Sequence, residues 1–323
     1  MADIEKVNNM SISDIEAWNG LTDADIEKLN AINWSGSFAI GTWTAESDAL
    51  ASDKYGGGMA GTASSGLYFG GWYPQSVVTE EWGGSAWSSG GNLNLTSHGC
   101  NGTGTQSAAI KISGDTDYTG SRHFDECETY DGSSWTSTTN TNVNHSQGAV
   151  GGASYSNCVI LCGEAEEAEK WNGSTWTTGA TTTTNIFELM GGQSGGAGDV
   201  MAAAGNNGSG TFYTVVQKYE YNSGSDDAWS SLAAFPVATS SGGTFGNTNS
   251  ADVVAFLGKT AAAGDGVAST YEFNGGAWGT GNNLTRARRT IVGTGPTGNG
   301  LTAGGYDGSF RDYVDSFSRA VST

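Results

Sequence analysis

Tyr130-Asp131-Gly132-Ser133-Ser134-Trp135 is the stretch from which the fold of this chain is read. It runs aromatic, Asp, Gly, two small residues, Trp, and it recurs. Trp82-Gly83-Gly84-Ser85-Ala86-Trp87, Trp171-Asn172-Gly173-Ser174-Thr175-Trp176 and Phe273-Asn274-Gly275-Gly276-Ala277-Trp278 repeat it, and a longer version runs from Tyr221-Asn222 to Trp229. Asp-Gly or Asn-Gly between aromatic residues signals a tight hairpin turn. One such hairpin every 41 to 53 residues means small sheets repeated about an axis, which is a β-propeller.

Working outward, each Trp leads after 26 to 29 residues to a Gly that closes an apolar run. The pairs are Trp43 to Gly70, Trp87 to Gly114, Trp135 to Gly163, Trp176 to Gly205, Trp229 to Gly258 and Trp278 to Gly304. Constant spacing through unlike sequence means one supersecondary unit made six times. Each unit reads as four strands. A Gly/Ser-rich strand lies innermost, where strands crowd the axis, and the apolar run is the buried second strand. The third strand carries an acidic residue near its aromatic: Glu81, Glu128, Glu169, Glu220 and Glu272. The fourth carries the Trp, whose large ring suits the gap between blades. The first unit has a Trp strand with no third-strand phrase before it. The last has a third-strand candidate, residues 313–317, and no Trp strand after it. The segment Phe38 to Glu46 is therefore expected to complete the last blade and close the ring, removing two open sheet edges. The expectation is an all-β, six-bladed β-propeller over residues 35–323, closed by an N-terminal strand.

Composition agrees. The chain has 52 Gly but 3 Pro in 323 residues, with the Gly set among Thr, Ser, Val, Trp and Tyr, as strands and turns require. Eleven Trp and twelve Tyr exclude a disordered chain. The net charge of −20 repels nucleic acid and anionic lipid. Cys158 and Cys162 lie in one apolar run; on a strand they would be ~13 Å apart, too far for a disulfide, and are expected as small apolar groups on one face. The start is acidic and no signal peptide or membrane span is read.

Residues 1–34 are a different kind of sequence. Asp3-Ile4-Glu5-Lys6-Val7-Asn8, Asp14-Ile15-Glu16-Ala17-Trp18-Asn19 and Asp25-Ile26-Glu27-Lys28-Leu29-Asn30 repeat with a period of 11 residues. Asp caps a short helical turn that places Ile4 and Val7, Ile15 and Trp18, Ile26 and Leu29 on one face. Turns this short need a surface to pack on, so these six residues are the expected anchor.

The Gly pairs Gly70-Gly71 and Gly304-Gly305, with the spaced aromatic and Trp, resemble the kelch family of propellers, including the kelch-like central domain of galactose oxidase. The resemblance covers about residues 38 to 320 and implies the fold rather than one activity. The serial Ile-x-Lys-Val-Asn-like units ahead of such a propeller resemble virion proteins of tailed bacteriophages. That resemblance implies a particle component made in a host cytoplasm, with residues 1–34 as the attachment module.

Galactose-oxidase-like copper chemistry needs a His and Tyr ligand set; only His98, His123 and His145 exist, and no ligand set, metal or cofactor is read. His98 and His145 fall near first strands of adjacent blades, where they are able to meet near the axis. The six Arg include a bunched trio, Arg286, Arg288 and Arg289, suited either to an anion or acidic partner or to a blade-to-blade ion pair. Asp115-Thr116-Asp117 and Asp226-Asp227 are carboxylate pairs of the kind that suit calcium, but such turns usually bind nothing. No catalytic residues are assigned. The third-to-fourth turns are uniform, whereas the second-to-third loops vary from 8 to 16 residues and lie on the opposite face. They carry Trp72, Tyr73, Tyr118, Phe212, Tyr213, Tyr306 and Phe310, the expected ligand-binding residues. The expectation is a non-enzymatic virion structural protein: a tail fibre, appendage or capsid decoration. It would contact other virion proteins through its leader and a host-surface glycan, another partner or sister copies through its loops. A free carbohydrate-binding propeller is the alternative, and a glycan-acting enzyme a weaker one.

Overall fold

The described structure begins with β1 (Thr42–Ala45), the strand that the sequence frame assigns to the far end of the chain. The structure is a computed structural model that describes residues 40–319 apart from positions 73, 116–124, 164, 183, 185, 190–194, 197–198, 221–226 and 247–251. The leader 1–34, with its anchor residues Ile4, Val7, Ile15, Trp18, Ile26 and Leu29, lies outside the described residues, as do Phe38, Tyr73, Tyr118 and His123.

Six four-stranded antiparallel sheets follow. Blade one is β2 (Gly58–Thr62), β3 (Ser65–Phe69), β4 (Thr79–Trp82) and β5 (Trp87–Ser89); blade two is β6 (Asn101–Thr105), β7 (Ala108–Ile112), β8 (Cys127–Tyr130) and β9 (Trp135–Ser137). Blade three is β10 (Ala149–Ser154), β11 (Asn157–Leu161), β12 (Glu167–Trp171) and β13 (Trp176–Thr181). Blade four is β14 (Gly195–Gly196), β15 (Asp199–Ala203), β16 (Val216–Glu220) and β17 (Ala228–Ser231). A short pair, β18 (Thr239–Ser240) with β21 (Lys259–Thr260), sits beside blade five, which is β19 (Gly243–Gly246), β20 (Val253–Phe256), β22 (Thr270–Phe273) and β23 (Trp278–Thr280). Blade six is β24 (Val292–Thr294), β25 (Asn299–Ala303), β26 (Val314–Ser318) and then β1, which pairs with β26 in register from Thr42↔Ser318 to Ala45↔Asp315. The expected closure is observed: the ring is a six-bladed propeller finished by its own N-terminal strand.

The core lies between blades, not within them. Six buried clusters each draw from two adjacent blades. Strand alternation does this: in β11, Cys158 and Ile160 face blade two, while Val159 and Leu161 face blade four. Cys162 departs from the expected shared face. The strand ends at Leu161, and φ +57° at Cys162 turns its side chain into the blade-four interface. The outer Trp residues cover the junctions as expected. Trp135 Nε1 donates to Thr79 Oγ1 of blade one at 2.9 Å, and its ring lies 4.8 Å from Phe69. Trp176, Trp229 and Trp278 donate to the Thr139, Ala180 and Ala233 carbonyls on the preceding side.

The hairpin phrase works through its Asx residue. Asp131 Oδ1 accepts the Ser133 and Ser134 amides at 2.9 and 2.8 Å, and Asn172 and Asn274 repeat this on their own turns. The following Gly132 has φ +94°, open to glycine at little strain. These amide bonds hold the Asp131 carboxyl down to about 2.

Candidate functional site

Antiparallel topology puts three things on one face: the crossovers that enter each innermost strand, the ends of the second strands, and the variable second-to-third loops. The crossovers end in a repeated backbone device. Gly56, Gly99, Gln147, Glu188, Ser241 and Thr290, one before each innermost strand, all have φ between +46° and +66°. The conformation disfavours side-chain-bearing residues, yet four of the six are not glycine. The gain is a belt of hydrogen bonds around the axis: Gly99 N to Gly56 O (2.6 Å), Gln147 N to Gly99 O (2.8 Å), Ser241 N to Glu188 O (2.9 Å), Thr290 N to Ser241 O (2.6 Å) and Gly56 N to Thr290 O (3.2 Å). Blade six is thereby joined to blade one a second time. Inside the belt is a cavity of about 50 Å³, lined by residues from all six blades, among them Gly57, Asn101, Gly148, Leu189, Gly242 and Ile291. It has room for water or a small group. Asn101 Nδ2 is buried there without a partner.

The same crossovers are pinned by buried polar groups on the third strands, two residues before the aromatic. Glu80 accepts the Ala51 amide (2.8 Å), Glu128 the Asn94 and Leu95 amides (2.9 and 3.2 Å), and Glu169 the Asn142 and Val143 amides (2.8 and 3.2 Å). Gln217 and Asp315 accept the hydroxyls of Thr182 and Thr285. In three blades a buried base, two residues before the belt, faces the acid: Lys54 with Glu80 (3.6 Å), His145 with Glu169 (3.1 Å) and Arg288 with Asp315 (2.6 Å). Burial works against the charge of Glu169, but the bonds from His145, Asn142 and Val143 outweigh it and lower its pKa. Burial of Lys54 and Arg288 lowers their pKa values, with Glu80 and Asp315 opposing.

This reassigns several residues. Of the five third-strand acids expected from the sequence, Glu128 and Glu169 hold the buried position. Glu81 and Glu272 sit one residue later, Glu272 itself buried and accepting the Gly41 amide at 2.9 Å, and Glu220 follows Tyr219. Glu80, Gln217 and Asp315 were missed; counting back two residues from the aromatic finds Glu80 and Asp315, whereas in blade four the ring that pairs with Trp229 is Tyr219 and not the Tyr221 of the sequence phrase. In blade five the position is Tyr271, packed on Phe235 at 5.1 Å. His145 is wholly buried against Glu169 and the Cys162 carbonyl, whereas His98 lies on the loop face, 4.9 Å from the Trp72 ring. Arg288 makes its ion pair inside blade six, not between blades.

The expected loop residues fall into two groups. Tyr306 and Phe310 meet each other (5.5 Å) and Tyr55, which stacks on Phe310 at 5.2 Å and 8°. Trp72 joins them through its amide to the Tyr55 carbonyl (2.9 Å). Arg289 lies over Tyr306 at 4.6 Å and Arg286 over Tyr313 at 4.1 Å. Arg289, expected as a cationic contact, thus joins the expected aromatic residues at the blade six to blade one junction, while Arg286, on the same crossover, shares the Tyr313 ring with Arg311. Phe212 and Tyr213 lie elsewhere, over blade four: Phe212 beneath the Lys259 ammonium (5.7 Å), and Tyr213 against the core shared by blades three and four. Among the described residues no three His, Cys, Asp or Glu side chains converge as a metal site would need.

No family model and no curated protein matches this chain. Among solved structures 393 chains match. One, the structure of YjhT, superposes with a TM-score of 0.66 at 10% identity, over 83% of this chain and 95% of that one. At that identity the likeness carries the fold alone, and a fold shared so widely does not select a function. The chain is a six-bladed β-propeller.

Proposed function

We propose that this protein is a non-enzymatic structural component of a tailed-phage particle. Residues 1–34 attach it to other virion proteins, and the propeller presents its loop face to a host-surface glycan or other partner. The observation that carries the binding half is the junction cluster of Tyr55, Trp72, Tyr306, Phe310 and Arg289, held by backbone bridges, with Arg286 on the same crossover as Arg289. The buried acids and bases that an enzyme would turn on substrate are engaged with loop amides and one another, which supports a binding rather than a catalytic role. The virion half rests on the 11-residue leader repeats and their resemblance to phage attachment segments.

Deleting residues 1–34 separates this reading from a free carbohydrate-binding propeller, which the same aromatic cluster favours. The expected result is loss of the protein from purified particles with surface binding retained. Truncated protein that still co-purifies with particles overturns the virion role of the leader.

A further inference from the structure

We infer that the junction cluster recognises an acidic saccharide, a sugar bearing carboxylate or sulfate. The inference rests on reading the loop face as the binding face and names the ligand class for it.

The chain carries 33 acidic and 13 basic side chains, so a guanidinium without a carboxylate is unexpected. Arg288 is paired with Asp315, Arg311 with Asp307, and Arg319 with Asp252 and Glu272. Arg286 and Arg289, three residues apart on one crossover, have no carboxylate partner among the described residues. Each instead lies over a tyrosine. Cation–π contact holds a guanidinium in place without neutralising it, and leaves its donors for a ligand. Arg289 Nε is withdrawn from water and has no acceptor, so the protein by itself does not satisfy this guanidinium.

The support is rigid. Arg289 and Tyr306 exchange backbone hydrogen bonds at 2.8 and 2.9 Å, Lys54 N reaches Arg311 O at 3.1 Å, and Gly305 N reaches Lys54 O at 2.8 Å. Three loops are therefore locked before any ligand arrives, which lowers the ordering penalty of binding. The half-buried rings of Tyr55, Tyr306 and Phe310 offer an apolar surface beside the cations. A pyranose has apolar C–H faces to lie on such rings. A carboxylate or sulfate on it reaches the guanidinium, while the protein's overall negative field disfavours anions that lack the stacking contact.

The test is calorimetric titration of the full-length protein with hexuronate and sulfated oligosaccharides, and with the carboxyl-reduced and desulfated neutral counterparts. Binding of an acidic oligosaccharide is expected to weaken about tenfold or more on neutralising the sugar and equally in R286A/R289A. R289K is expected not to recover it, because an ammonium lacks the planar fork. Unchanged melting temperatures separate this from misfolding. Equal binding of acidic and neutral sugars, or wild-type affinity in R286A/R289A, overturns the inference and leaves a glycan-binding face intact. Binding of polyglutamate but of no acidic saccharide overturns the ligand class, as does no binding at all. Neither result bears on the particle assay with the leader deleted.

Discussion

Glu169 shows how a propeller of small residues spends its few buried charges. Its carboxylate sits at zero exposure between the His145 ring and two crossover amides. Removing one partner of such a pair leaves the other desolvated and alone, so E169Q is expected to destabilise by about 3 kcal/mol or more in urea denaturation. The pH dependence has a definite sign. The folded pKa lies below the unfolded one, so the stabilisation is complete above the ordinary Glu range, about 4.3, and is lost as pH falls through the lower folded value. The gap between wild type and E169Q should therefore close in acid. The four cysteines make a second residue-scale case. All are free and buried, and burial raises Cys127 to about 11 and Cys162 to about 12. A disulfide-exchange reagent at neutral pH should label none in the native protein and four after denaturation; rapid native labelling would mean that these interfaces open.

At the scale of the element, the hairpin device recurs and one copy is imperfect. The hairpin phrase in blade one has Gly83 where the others have Asp or Asn, so its turn lacks the side-chain acceptor. An added Cβ there meets nothing nearer than the Ala86 carbonyl at 3.7 Å. G83N is expected to raise stability by about 0.5–1 kcal/mol, read as a higher melting temperature. Closure depends on β1, and Gly41, the residue just before it, lies against the Phe317 ring; a Cβ would fall 1.8 Å from it. G41A is expected to cost about 1–3 kcal/mol by lifting the strand. Deleting residues 38–46 should expose the edge of β26 and bring aggregation in size-exclusion chromatography. A soluble monomer with an unchanged melting temperature would refute closure by this strand.

For the whole molecule, the two closures act together. The outer strand joins blade six to the N-terminal segment, and the axial belt joins Gly56 to Thr290. With each core shared by neighbouring blades, no blade keeps its buried surface once another leaves. Wild type, G41A and E169Q should each unfold in one transition, with tryptophan fluorescence and far-ultraviolet dichroism coincident. A separate early transition in G41A would show blade six melting alone.

Blade number, strand order and ring closure were legible in the sequence because each depends on local chemistry repeated at fixed spacing: an Asx-Gly turn, an alternating apolar run, a Trp. Those features act within a few residues, and repetition multiplies the signal. What only the tertiary structure decided was pairing across the fold. Arg286 and Arg289 stand apart in sequence from Tyr306, Tyr313 and Tyr55, and nothing local says that three loops lock together there while Phe212 and Tyr213 go elsewhere. The buried acids were half legible, since their recurrence was visible but the face of the strand was not. A shift of one residue carries a side chain from the crossover to the other side of the sheet, and only the packed register reveals which of Glu80 and Glu81 is inside.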